Sequence, residues 1–263
     1  MGQAVVRLFA GHRHEVVTWD RTSDDEYPSA ALSSCVFVVV CVGTPPDGEG
    51  GADVSEVIDA VERIPVQRVL VKSTVPPGTT EAIASKTGKE VCYWPEYVGE
   101  SSYYNPYFAN AIEQVPFVIL GGEPPARRWF LDRLQEVLGP TKYYFQCSSR
   151  EAELIKYTEN AYFATKVTFV NEMRRLCDAC GADWHTVREG WLLDPRVERM
   201  HTAAFESKPG FDGKCLPKDL DALIYAARQA GYAPLLLEQV ADSNRRLRTE
   251  GRATLAPQED ARP

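Results

Sequence analysis

The run "CVFVVVCVG", Cys35 to Gly43, is the segment that most narrows what this chain can become. A stretch without a single charge cannot alternate an apolar face with a wet one, so it reads as a strand buried on both faces. It is far too short to span a bilayer. A strand covered above and below needs helices on both sides of its sheet, and the flanking sequence supplies them. Further β-type runs are "VVTWD" (16–20), "RVLVKST" (68–74), "EVCYW" (90–94), "PFVILGG" (116–122) and "KYYFQC" (142–147). Amphipathic stretches such as "DVSEVIDAVERI" and "PPARRWFLDRLQEVLG" separate several of them. The second opens with proline and closes with glycine, the usual helix punctuation. This alternation predicts an α/β fold with a doubly wound parallel sheet over residues 1–147.

After Ser148 the pattern changes. "SSREAELIKYTENAYFATKVTFVNEMRRLCDACG" is helical in character and free of proline and glycine until Gly181, with Ser148 and Glu151 spaced as a capping box. "DWHTVREGWLL" and "PKDLDALIYAARQAG" continue in the same manner. Residues 148–248 therefore read as an all-helical second domain, and 249–263, ending in "APQEDARP", as a disordered tail.

The formal net charge is -8, with Lys and Arg scattered along the chain, which argues against a nucleic-acid partner. A phosphate ligand would have to be met by a few placed groups. The opening "MGQAVV" has neither the features of a signal peptide nor the myristoylation pattern, so the expectation is a cytoplasmic protein off the membrane. Seven cysteines without an export signal read as mostly reduced thiols. Cys177 and Cys180 form a C-x-x-C near a helix end, but no second pair or suitably spaced histidine accompanies them. The pair reads as structural, and no metal is expected.

Chemistry gathers at the ends of the predicted strands. Gly2 opens a helix and Asp20 closes the "VVTWD" run, a span near that between the glycine turn and the ribose-binding carboxylate of a dinucleotide site. Asp20 reads equally well as a turn cap. Thr44 follows the apolar run in a Gly/Pro-rich loop, Ser73 and Thr74 precede Pro-Pro-Gly, and Glu96 and Glu100 follow "EVCYW". In an open α/β sheet ligands sit beyond the carboxyl ends of the strands, where these residues fall. In the helical half, Lys156 and Asn160 are four apart and share a helix face. "GFDGKCLPKDL", Gly210 to Leu220, sets a thiol, an ammonium and a carboxylate close together: Cys215, Lys218 and Asp219. A lone cysteine is usually a small buried hydrophobe, so packing and reactivity both remain open on this segment alone.

Taken together, "HEVVTWD", "CVGTPPDGEGGADVSEV", "VKSTVPPGTT", "PEYVGESS", "AELIKYTENAYFATKVTFVNEM", "DPRV" and "GFDGKCLPKDL" resemble the UDP-glucose/GDP-mannose 6-dehydrogenases. The pieces stand in the family's order and cover nearly the whole chain. The resemblance implies a Rossmann-like NAD-binding domain followed by a helical dimerisation domain. It also implies a homodimer and NAD-dependent, two-step oxidation of a sugar-nucleotide primary alcohol to a carboxylate. Carried over by position, Cys215 is the nucleophile, forming a thiohemiacetal and then a thioester. Lys156 and Asn160 stabilise charge on the substrate oxygen, and Glu96, Asp219 and Thr74 handle protons and order the water. Gly2, Asp20, Thr44, Thr74, Glu100 and Lys218 would contact the cofactor, and Glu96, Lys156, Asn160 and Gly210 the substrate.

Three departures qualify the match. Met1 falls inside the phosphate-binding turn, so the first strand and its glycines are missing, which would leave two unpaired edges in a 3-2-1-4-5-6 sheet. The expectation is that about thirty further residues precede Met1 in the natural frame. The expectation is likewise of a chain lacking the family's C-terminal nucleotide-gripping domain, with only a short segment after "VADSNRRLR". In the cysteine loop, Asp212 and Lys214 replace small residues, and the Asp212 Cβ would resist a glycine-only conformation. Two other readings therefore stand beside the leading one: a non-catalytic or partner-dependent remnant acting as a dimerisation module, and a dehydrogenase of a smaller non-nucleotide sugar.

Overall fold

The computed structural model describes residues 1–23, 26–98 and 111–255, with side chains through Thr249. The described residues form two compact units, one drawn from 1–47 and 52–156, the other from 48–51 and 157–255.

In the first unit the order is α1 (Gly2–Gly11), α2 (Ser29–Ser33), β1 (Val38–Val40), α3 (Ser55–Arg63), β2 (Arg68–Val71), α4 (Thr79–Thr87) and β3 (Glu90–Tyr93). A 3-10 turn at Ile112–Gln114, β4 (Phe117–Gly121), α5 (Pro124–Leu138) and β5 (Tyr143–Cys147) follow. The strands lie side by side in chain order. Alternation along them sorts side chains between two cores. Leu70, Cys92, Val118 and Leu120 meet Val5, Leu8 and Phe9 of α1 and Phe130 and Leu134 of α5 on one face. Val69, Val71, Val91 and Tyr93 meet Val57 and Val61 of α3 and Ile83 of α4 on the other. Each fully buried Leu or Val contributes about 1.5–3 kcal/mol, so both helical layers are held by the sheet's apolar content. This is the doubly wound, Rossmann-like arrangement.

Three expectations are corrected. Val16–Asp20 forms no strand. An extended run becomes a strand only by pairing, and Val16 instead packs sideways against the first core. The apolar run yields only three ladder residues, Val38 to Val40, with β2 as the partner of β1. Finally, the sheet is not wholly parallel: β3 and β4 meet antiparallel through Tyr93 and Gly121. A parallel neighbour requires a crossover, usually a helix, and the described part of the β3–β4 connection holds only the 3-10 turn.

Helix α6 (Ser149–Cys180) begins on the anticipated capping box. The Ser148 N–H donates to Glu151 Oε2 at 2.7 Å and the Glu151 N–H donates to Ser148 Oγ at 3.2 Å. Its first turns belong to the sheet unit. Ala152 is wholly buried in the second core, and a Cβ at Gly121 would lie 2.7 Å from the Ala152 methyl. Gly181, at φ +71, follows the helix end.

The second unit adds α7 (Trp184–Trp191), α8 (Leu216–Gln229) and α9 (Leu235–Leu255). Ala161 and Ala164 of α6 pack with Phe211, Leu220, Ile224, Val240 and Ala241. Cys177 is buried with Val170 and Trp184, while Cys180 is exposed at the helix end. Residues 249–255, expected to open a disordered tail, continue α9.

Candidate active site

In the sheet unit, the loops after β1 and β2 are laced together. The Thr44 hydroxyl donates to the Thr74 carbonyl at 2.8 Å, and Ser73 Oγ donates to the Val42 carbonyl at 2.7 Å. Thr44 is buried and Thr74 half-buried. The lacing fixes both segments at the carboxyl edge, where ligands of such sheets are held.

Next to them stands a buried lysine that the sequence reading passed over. Lys72 is 3% exposed, pairs with Glu96 Oε2 at 2.9 Å, and lies 3.8 Å from the centroid of the Trp94 ring. Burial pulls its pKa down and the Glu96 carboxylate pushes it back up. Glu96 also accepts the Val98 N–H, so its carboxylate is oriented from two sides. A lysine directly after the apolar "RVLV" was the available signal. Lys156 is buried too, with Nζ 4.8 Å from the Tyr97 ring centroid, a cation–π contact.

At the start of the chain, Gly2 opens α1, no side chain among the described residues caps the helix's first turn, and a Cβ at Gly2 would lie 3.8 Å from that of Cys41. Asp20 is exposed and stands at no strand end. Its Oδ1 accepts the Thr22 N–H at 2.9 Å and the Thr22 hydroxyl at 2.7 Å, which holds its pKa below the usual carboxylate value. Glu100 lies outside the described residues.

In the helical unit, Cys215 is exposed at the N-cap of α8. A thiolate there faces the positive end of the helix dipole. Three other cysteines have the opposite environment: burial pushes Cys41 to about 11, Cys92 to about 12 and Cys147 to about 11. They are packing thiols, protonated at neutral pH.

Buried amides pin the loop ahead of Cys215. Asn244 of α9 accepts the Phe211 N–H at 2.8 Å and donates to the Phe211 carbonyl at 3.0 Å. Asn171 of α6 accepts the Gly210 N–H at 3.1 Å. Gly210 sits at φ +77, and a Cβ there would lie 2.3 Å from Asn244 Oδ1, so the clamp itself demands glycine. The loop's left-handed positions are Gly210 and Gly213. Asp212 has ordinary backbone geometry, which removes the anticipated strain, and its carboxylate is met by Arg248. One turn into α8, Asp219 is 2% exposed. Asn160 Nδ2 donates to its Oδ2 at 2.6 Å and Lys218 Nζ to its Oδ1 at 2.5 Å. Three of the anticipated residues thus form one hydrogen-bonded group. Asn171 and Asn244 were not anticipated; their only signal was an amide within an otherwise helical pattern.

Comparison with known proteins finds two domains of one family along the chain. Residues 10–137 match the NAD binding domain of the UDP-glucose/GDP-mannose dehydrogenase family, and residues 150–246 match its central domain. The chain belongs to that family. Like other members, it is similar to UDP-glucose 6-dehydrogenase YwqF of Bacillus subtilis, 32% identical over 228 residues, covering 81% of this chain and 49% of the relative. Among solved structures it resembles a UDP-glucose dehydrogenase from Pyrobaculum islandicum, with TM-score 0.72 and 29% identity, covering 94% of this chain and 61% of that one. It also resembles the UDP-D-ManNAc dehydrogenase of Pyrococcus horikoshii, with TM-score 0.72 and 25% identity, covering 86% and 54%. The chain spans about half the length of the curated relatives it matches. The family's cofactor is NAD, and the sheet unit fits its phosphate end: a glycine opens an α1 without a side-chain cap, beside laced loops at the strand ends. Asp20, the residue expected to meet the ribose, is fastened to Thr22 through Oδ1 and closes no strand.

Proposed function

We propose that this chain carries out the NAD-dependent oxidation of a UDP-glucose-like nucleotide sugar, taking its primary alcohol to the carboxylate. The observation that carries the reading is Cys215, an exposed thiol at a helix N-terminus on a loop pinned by buried amides. NAD, when bound, accepts the hydride of each oxidation. The substrate hydroxyl gives up a proton as its carbon loses a hydride, leaving an aldehyde. The Cys215 thiolate adds to that carbon, forming the C–S bond of a thiohemiacetal. Loss of its proton and a second hydride gives a thioester. Water attacks the thioester and the thiolate leaves, releasing the acid.

In this scheme Lys156 and Asn160 hold the substrate oxygen while it is negative, and the paired carboxylate of Asp219 keeps the Asn160 amide oriented. Glu96, held by Lys72 and the Val98 N–H, receives protons and orders the water, assisted by Thr74. Dehydrogenases of UDP-glucose and of UDP-D-ManNAc among the similar proteins support a UDP-sugar. None of the seven cysteines is joined in a disulfide, which suits a reducing, cytoplasmic setting. Among the described residues no helix is long and apolar enough to cross a membrane. The chain is also proposed to pair with a second copy through α6, where Tyr162, Phe169 and Leu176 recur every seven residues and are 55%, 49% and 54% exposed.

The test is NADH yield across UDP-sugars, GDP-sugars and free sugars. Two NADH per acid formed from a nucleotide sugar is the expected result. A chain that binds NAD and turns over none of them is instead the non-catalytic or partner-dependent dimerisation module. Turnover of a free sugar alone would select the smaller substrate.

A further inference from the structure

Glu153 takes part in none of the steps above, yet no part of it reaches solvent. Its Oε2 accepts the Gly78 N–H at 2.5 Å; its Oε1 accepts the Thr80 N–H at 2.8 Å and the Thr80 hydroxyl at 2.6 Å. These donors belong to the N-terminus of α4, whose N-cap, Gly78, has no side chain to meet them. A carboxylate from α6 therefore caps a helix 73 to 75 positions away in sequence. The segment held in this way begins at Thr74, whose carbonyl takes the Thr44 hydroxyl, and closes at Gly78. On α6, Lys156 lies three residues beyond Glu153, on the same side of the helix.

We infer that Glu153 is a positioning residue: by capping α4 it locks the Thr74 loop to the turn of α6 that carries Lys156. The inference rests on the reading of Thr74 and Lys156 as site residues. It also makes the lock sensitive to pH. Burial pushes Glu153 up to about 7, the bonds from Thr80 and Gly78 pull it down, and the nearby Glu81 raises it further. The other charge at this end is Arg150, which pairs with Glu81 at 2.7 Å and borders Gly78. A protonated Glu153 can keep every contact, because the Thr80 hydroxyl both donates and accepts. Opening the lock exposes the carboxylate to water and returns it to its ordinary pKa, so protons favour the closed form. The lock is tightest below about pH 4.5 and loosens as pH rises to about 7, beyond which it is level.

The experiment is amide hydrogen exchange of residues 75–82 in the full chain, corrected for intrinsic base catalysis and referenced to α5. Protection is expected to fall tenfold or more between pH 5 and 7.5 and then to level off. In Glu153→Gln the side-chain NH2 opposes a backbone donor, so protection should be about tenfold lower than native at pH 5 and flat with pH. Native exchange without a pH slope, or a Gln variant that keeps the slope, overturns the lock, and the native titration decides this even if the variant does not fold. Positioning is read from turnover by folded protein. The kcat loss in Glu153→Gln should be larger at pH 6 than at pH 8, because only the native lock titrates. A constant ratio of variant to native kcat would reduce Glu153 to a structural cap and overturn the positioning role. Native chain inactive towards every nucleotide sugar defeats the dehydrogenase reading, and the positioning role with it, while exchange still judges the lock.

Discussion

The loop after β2 and the loop before α8 are each pinned by a buried side chain from a distant helix, but by different chemistry. Glu153 meets Gly78 and Thr80, whose backbone groups at a helix N-terminus are N–H donors, joined by the Thr80 hydroxyl. Asn244 meets Phe211, which offers both its N–H and its carbonyl. An ionised carboxylate only accepts, whereas an amide donates and accepts without titrating. The clamp thus follows the backbone groups presented to it. A helix start held by a carboxylate carries a pH dependence with it, and an irregular loop held by an amide does not.

The sharpest way to test the contrast is to separate what the cysteine loop carries from what holds it. Cys215→Ala should reduce acid formation by roughly a thousandfold or more and stop the reaction at one NADH per substrate. Because Cys215 is exposed, the melting temperature should hardly move. Mass spectrometry of products together with a thermal melt checks both halves, and two NADH per substrate at the parent rate would make the thiol a packing residue.

Asn244→Ala should act in the reverse manner, by removing the clamp and leaving both peptide groups of Phe211 unpaired. With 1–3 kcal/mol for each such group, a loss of about 4 kcal/mol is expected, the same at pH 5 and pH 8. Urea denaturation at both values measures it, and a pH-dependent loss would erase the contrast between the clamps.

Glu153 should supply the pH dependence that Asn244 lacks. Its folded pKa of about 7 lies above the ordinary 4.5, so the folded chain holds the proton more tightly than the unfolded one. This contribution to stability is complete below about pH 4.5 and is lost as pH rises to about 7, amounting to at most about 3 kcal/mol. Glu153→Gln should remove that component from the difference between urea midpoints at pH 5 and pH 8.

The smallest effect belongs to the outer contact of the cysteine loop. Asp212 is 66% exposed in its pair with Arg248, so Arg248→Ala should change stability by less than about 1 kcal/mol, and by less still in high salt. A larger, salt-independent loss would mean that this pair, and not Asn244, is the principal clamp.

Much of the fold could be read from local pattern. The box at Ser148 and Glu151, the proline and glycine that bound α5, and the uninterrupted course of α6 each depend on groups a few residues apart. So did the grouping of candidate residues on strand ends and around Cys215. What could not be read locally was pairing. Val16–Asp20 has a strand's composition but no ladder, and β3 and β4 pair antiparallel.

The sequence by itself determined the long helices, which apolar runs are buried, and which residue types stand in a dehydrogenase's order. Periodicity, caps and turn residues act over one or two turns of chain, so their energies are written in neighbouring letters. Tertiary structure alone decided that Glu153 caps α4, that Asn244 grips Phe211 and that Lys72 is buried against Glu96. Each is a polar group whose burial is tolerable only with a partner brought from elsewhere in the chain, 33 positions away for Asn244 and at least 73 for Glu153.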